Sequence, residues 1–173
     1  MIKVIVGPMF SGKSTALLNY VSFVEEQNIP YCIFKPSKDK RDLTRLRART
    51  TSITKEAKVI SSLEEIRPNL LGAKTIIIDE FQFLKGDIRE LIKLSKEGCT
   101  IVAAGLNLTS DLKPFGLMPD LLSVADQITK LQSTCAFCGG YADFTGYNGE
   151  ETKEIKFGDN RYFPVCLNCL KIF

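Results

Sequence analysis

Short apolar runs alternate with stretches of helical character along most of the chain. Ile2-Lys3-Val4-Ile5-Val6 is mostly apolar and β-branched and predicts a buried strand, and Thr15 to Gln27 predicts a helix. Tyr31-Cys32-Ile33-Phe34 predicts a second strand ending at Lys35-Pro36. Ser61 to Ile66 predicts a short helix, with Ser61 or Ser62 as N-cap and Glu64 and Glu65 in its first turn. Thr75 to Ile78 predicts a buried strand. Asp87 to Glu97 predicts an amphipathic helix with Ile88, Leu91 and Ile92 on its inner face and Gly98 as its stop. A strand over Thr100–Ala104, a short helix over Pro119–Ala125 and a last core strand over Gln127–Leu131 complete the series. Strands alternating with helices imply an α/β fold with a mainly parallel sheet. From Gln132 onward glycines, polar turns and cysteine pairs replace the long apolar runs. The expected organisation is an α/β core over 1–131 and a small cysteine-bearing unit over 132–173.

One internal stretch breaks the pattern. Residues 35–58 hold nine basic residues against three acids, nine minus three or +6, with almost no apolar periodicity. They predict either a solvated loop or a basic flap near phosphates. The whole chain carries only +3, too weak a charge to argue for nucleic acid. Its 173 residues fit one principal domain with a small appendage. With no histidine, imidazole acid–base catalysis is excluded. The first residues lack the pattern of a signal peptide, and no run is long enough to span a bilayer, so a cytoplasmic location without membrane contact is expected. Six cysteines are then expected as thiols rather than disulfides.

Three motifs carry the chemistry. Gly7-Pro8-Met9-Phe10-Ser11-Gly12-Lys13-Ser14 has the spacing G-x-x-x-x-G-K-[ST], between a strand and a helix. Such a loop aims backbone N–H groups and a helix N-terminus at phosphate, with Lys13 reaching the outer phosphates and Ser14 able to hold Mg²⁺. Asp79 and Glu80 end the Thr75–Ile78 strand, at the sheet edge where the phosphate loop also opens. Asp79 is placed to serve Mg²⁺ with Ser14, and Glu80 to accept a proton from an attacking nucleophile. Cys135-x-x-Cys138 and Cys166-x-x-Cys169, separated by 27 residues, form two knuckles that predict one structural Zn²⁺ with an all-sulfur shell. Cys32 and Cys99 lie in strand-like stretches and are expected as apolar thiols.

Taken together, the motifs resemble the zinc-containing type II thymidine kinase family. The match includes Gly7 to Thr15, Lys35-Pro36 with Asp39 and Arg41, Asp79-Glu80-Phe81-Gln82-Phe83, Gly105-Leu106, Lys113-Pro114-Phe115-Gly116, both knuckles, and Tyr162-x-Pro164-Val165. The resemblance implies a P-loop NTPase-type core with a C-terminal zinc-ribbon and lasso unit. It implies transfer of phosphate from ATP to the 5′-hydroxyl of thymidine, in nucleotide salvage, with Glu80 as general base. Gly7 to Thr15, Asp79, Gln82, Asp39 and Arg41 would serve ATP and its phosphates. Met9, Phe83, Leu106, Phe115, Thr145 and Tyr162 would line the nucleoside pocket, and about 146–165 would close over it as a lasso. A homotetramer and feedback inhibition by thymidine triphosphate are also implied.

Ser110 stands where the family has a pocket Phe, Asn107 where it has an acid, Phe157-Gly158 where it has paired glycines, and Asp42 where it commonly has a Tyr. These keep open a kinase acting on deoxyuridine or another deoxynucleoside. A nucleic-acid-stimulated ATPase module with a zinc ribbon would also fit the loop, the acidic pair and the basic run.

Overall fold

The computed structural model describes residues 1–39, 44–48, 52–149 and 161–170. Six strands form one sheet, every pair in it parallel: β1 (Ile2–Val6), β2 (Tyr31–Pro36), β5 (Lys58–Ile60), β6 (Thr75–Ile78), β7 (Thr100–Gly105) and β8 (Gln127–Lys130), in the order β5-β2-β6-β7-β1-β8. The central strands are buried on both faces, which is why β6 reads Thr-Ile-Ile-Ile with no polar alternation.

Alternate residues of each central strand feed two separate cores. On one face α1 (Lys13–Glu26) packs Leu17, Leu18 and Val21 against Ile33, Ile77 and Val102. On the other, α2 (Arg89–Lys96) and α3 (Met118–Ser123) contribute Leu91, Leu94, Met118 and Leu121 against Ile76, Ile78, Ile101 and Ala103. Each of these large side chains contributes about 1.5–3 kcal/mol on burial, so both layers stabilise the sheet against its helices.

Most predicted elements stand, with shifted ends. The first helix begins at Lys13, two residues early, because Gly12 takes a left-handed conformation (φ 83°) that turns the chain straight from the loop into the helix. The turn after Ser62 is 3₁₀ rather than α (Leu63–Glu65), closed by a capping box in which Glu65 accepts the N–H of Ser62 at 3.0 Å. The last sheet strand, β8, pairs only with β1 and lies at the edge, so it is not a core strand; all four of its residues are exposed.

The basic stretch differs most from expectation. It contains a hairpin of β3 (Arg45–Arg47) and β4 (Thr54–Glu56), followed by edge strand β5. Leu46, wholly buried against α1, and the buried Ala48 anchor the hairpin, a signal too sparse to register as periodicity.

The cysteine-bearing part forms two small ladders: β9 (Ser133–Thr134) with β10 (Tyr141–Ala142), and β11 (Phe144–Tyr147) with β12 (Tyr162–Val165), both antiparallel. Among the described residues its core is Cys135, Ala142 and Val165, flanked by Phe144, Phe163 and Leu170. Among the described residues no helix is long and apolar enough to cross a membrane.

Candidate active site

The site lies at the carboxyl ends of β1, β6 and β7, which are neighbours or next neighbours in the sheet. Parallel strands deliver their carboxyl ends to one edge, so residues 7–14, 79–80 and 105–106 meet there. The Lys13 ammonium lies within the phosphate loop, donating to the carbonyls of Gly7 (3.0 Å) and Pro8 (2.6 Å) and to Ser11 Oγ (3.4 Å). No side chain caps α1, so the helix start presents its dipole to the loop's concave side.

Ser14 Oγ donates to Asp79 Oδ2 at 3.4 Å across a separation of 65 residues. Two hard oxygen donors converging beside a phosphate loop are what a magnesium site requires. The Asp79 carboxylate is buried and also accepts the N–H of Glu80 at 3.1 Å.

Glu80 leaves the strand in a left-handed conformation, φ 52° and ψ 42°, and starts the 3₁₀ turn Phe81–Phe83. A non-glycine residue held there is strained by about 1–3 kcal/mol, and the surrounding contacts must maintain it. Gln82 supplies one of them: its Nε2 donates to Glu80 Oε2 at 2.6 Å, and its Oε1 accepts the N–H of Leu106 at 3.0 Å.

Phe83 and Phe115, expected at the nucleoside pocket, pack edge to face with centroids 5.2 Å apart at 87°. Leu106 follows β7 and Met9 follows β1, two adjacent strands. Thr145 on β11 is buried, and its Oγ1 accepts the N–H of Met9 at 2.9 Å. Ser133 donates to the carbonyl of Phe10 at 3.2 Å. The cysteine-bearing part therefore grips the phosphate loop at two consecutive residues. Tyr162 pairs across the ladder with Tyr147, one pleat away from Thr145, their rings 4.6 Å apart.

Asp39 is 1% exposed and forms an ion pair with Lys35, itself buried, at 3.2 Å; Lys35 also donates to the carbonyl of Arg45 at 3.1 Å. The pair ties the end of β2 to the hairpin. Arg41, Asp42, Phe157 and Gly158 lie outside the described residues, as does much of the expected lasso.

The four knuckle sulfurs all lie within 4.8 Å of one another, and Cys138 Sγ is 3.7 Å from Cys166 Sγ. Ligands about 2.3 Å from a tetrahedral zinc would stand about 3.8 Å apart, so the residues fit that ion. Backbone N–H groups of Cys138 and Cys166 pull the Cys135 thiol down to about 6, favouring thiolate. The neighbouring cysteines push Cys169 up to about 12. Four thiolates this close need a cation between them, and these four cysteines can hold a zinc ion.

Neither the Met9–Thr145 and Phe10–Ser133 bonds nor the Lys35–Asp39 pair was readable beforehand. Only the i,i+4 spacing of Lys35 and Asp39, just where the second predicted strand ends, offered a hint.

A phosphate loop facing a strand-end Asp-Glu pair across a parallel sheet defines a P-loop nucleotide-binding enzyme equipped for phosphoryl transfer. The family model described as thymidine kinase matches residues 1–170. The cytosolic thymidine kinase of Gallus gallus is 33% identical over 169 residues, covering 97% of this chain and 75% of that one. The thymidine kinase of Mycoplasma mobile is 32% identical over 172 residues, covering 98% and 86%. This chain belongs to the thymidine kinase family. The genome packaging NTPase B204 of Sulfolobus turreted icosahedral virus 2, solved with ATP-gammaS, has a TM-score of 0.49 and 19% identity over 75% of this chain and 73% of that one.

Proposed function

We propose that this thymidine-phosphorylating enzyme uses Glu80 as the general base for transfer from ATP to the 5′-hydroxyl. The Glu80 carboxylate accepts the hydroxyl proton as the hydroxyl oxygen forms its bond to the γ-phosphorus. The bond from that phosphorus to the bridging oxygen breaks, and ADP leaves. Lys13 and the amides of the loop hold the outer phosphates, where charge spreads over the phosphoryl oxygens. Ser14 and Asp79 would hold Mg²⁺, which neutralises phosphate charge when bound. Met9, Leu106, Phe83, Phe115, Thr145 and Tyr162 are assigned to the nucleoside pocket, and Asp39 and Arg41 would serve the donor phosphates. The observation that carries the assignment is the placement of Glu80 beside Asp79, at the same strand end that faces Ser14.

A structural Zn²⁺ on the four cysteines, a cytoplasmic location, a homotetramer and feedback inhibition by thymidine triphosphate belong to the same proposal. The exposed edge of β8 is the kind of surface that assembly covers.

The test is phosphorylation of a nucleoside panel with ATP and Mg²⁺ by the wild type and Glu80→Gln. The expected result is thymidine as the preferred acceptor and a loss of about 10²–10⁴-fold in kcat for the variant, with ATP binding retained. Near-normal turnover by Glu80→Gln would remove Glu80 as the base, and a purine nucleoside ranking first would remove thymidine as the substrate.

A further inference from the structure

We infer that Gln82 is a positioning residue for the catalytic base, fixing Glu80 relative to the nucleoside pocket, rather than a donor-nucleotide ligand. The inference rests on Glu80 being the base.

Gln82 is 3% exposed. A backbone N–H can only donate, so the carboxamide oxygen must face Leu106 and the NH₂ must face Glu80. The observed distances, 3.0 Å and 2.6 Å, follow that orientation. Both ends of the side chain are committed to protein groups on two different strands' ends. A glutamine reaching for phosphate would have to abandon one of them and leave a buried polar group unpaired, at about 1–3 kcal/mol.

The space around Gln82 is also closed. A Cβ at residue 105 would sit 2.5 Å from its Oε1, and a Cβ at residue 116 would sit 2.1 Å from its carbonyl oxygen. Both neighbours are glycine, and only glycine leaves room for Gln82 where it lies. Gly116 has φ 54°, so a side chain there would also strain the backbone.

The geometry couples two distances that the reaction needs. The amide holds one oxygen of the Glu80 carboxylate, Oε2, and the same amide is pinned to Leu106, which is assigned to the pocket wall. The 5′-hydroxyl is delivered by a nucleoside held against that wall. Gln82 is thus a rigid spacer between the group that takes the proton and the surface that places the hydroxyl.

Two variants separate this role from packing. Gln82→Met keeps the volume and loses both hydrogen bonds. Gln82→Glu keeps an acceptor for the Leu106 N–H but sets a second carboxyl against Glu80 Oε2; two carboxyls this close either repel or share a proton, and in both cases the base loses the neutral donor that holds it. Both variants are expected to lose about 100-fold in kcat, the cost of misplacing a catalytic group by about 1 Å. The KM for ATP should stay within about threefold of wild type, because no donor contact is lost. A kcat within threefold of wild type in Gln82→Glu overturns the inference, and so does a raised KM for ATP at unchanged kcat, which would return Gln82 to the donor site. Failure of both variants to melt cooperatively would make Gln82 a core residue and overturn it equally. Glu80→Gln is run beside them: if it stays active, the base assignment fails; if it is dead while Gln82→Glu is not, only the positioning role fails.

Discussion

Gly105→Ala adds one methyl group where β7 passes Gln82. Its Cβ would stand 2.5 Å from Gln82 Oε1 and 2.8 Å from Met118 Sδ. The Met118 thioether is buried but can adjust, since two rotatable side-chain bonds set the position of its sulfur. Gln82 has no such freedom. Ordinary van der Waals contact begins near 3.4 Å, so Oε1 must retreat by roughly 0.9 Å, the gap between 2.5 Å and 3.4 Å. That movement stretches the 3.0 Å bond from Leu106 N–H beyond useful length and leaves a buried donor without its acceptor. The cost is about 1–3 kcal/mol, which for a chain of this size lowers Tm by about 3–10 °C. The same retreat rotates Nε2 away from Glu80 Oε2, so kcat should fall alongside the melting temperature, by about 10²-fold. Differential scanning calorimetry and initial rates of thymidine phosphorylation measure the two effects. An alanine variant that melts within about 1 °C of wild type and keeps its kcat would mean that Gln82 has slack around it, and the steric reasoning would be refuted.

Thr145→Val, nearly the same in volume, deprives the Met9 N–H of its acceptor and should destabilise by about 1–3 kcal/mol while Thr145→Ser costs less than about 1.5 kcal/mol; equal chemical-denaturation midpoints for the two variants would refute the role of the hydroxyl. Stripping the four cysteines of metal with a chelator should unfold the small ladders, whose own core is three buried residues, and raise the KM for ATP as the grip on Met9 and Phe10 is lost. Amide hydrogen exchange over β9 to β12, followed with ATP titrations, measures it, and unchanged protection after chelation would refute it.

Much of this was legible from the chain because the signals were local. The phosphate loop is eight consecutive residues, and β6 announces itself as an unbroken apolar run with two acids at its end. Each knuckle is four residues, and their pairing needs only the rule that thiolates at such spacing share an ion. Gln82 belongs to the opposite case. Its position in the Asp-Glu-x-Gln-Phe motif marked it as a site residue, but its partners, Glu80 and Leu106, are known only once the turn Phe81–Phe83 has folded and β7 has docked beside β6. The hairpin of residues 45–56 was obscured for another reason: its burial depends on Leu46 and Ala48 alone, amid a run of charges that solvent takes up. Lys35 and Asp39 belonged to a basic stretch expected as a solvated loop or a flap near phosphates, and only the fold reveals that they neutralise each other out of water.

The bond from Met9 to Thr145 spans 136 residues of chain. As a ribosome makes this protein, the phosphate loop emerges well before Thr145, and β1 can pair with β7 once residue 105 is out. The loop's bracket arrives much later, when the second sheet ladder has formed around the knuckles. Such a long-range closure comes late in folding, because the entropy of joining distant segments is recovered only when their contacts form. The phosphate loop, made before its bracket, is thus completed after the sheet that carries it, and a growing chain holds its nucleotide-binding loop unbraced until the cysteine-bearing part has taken shape.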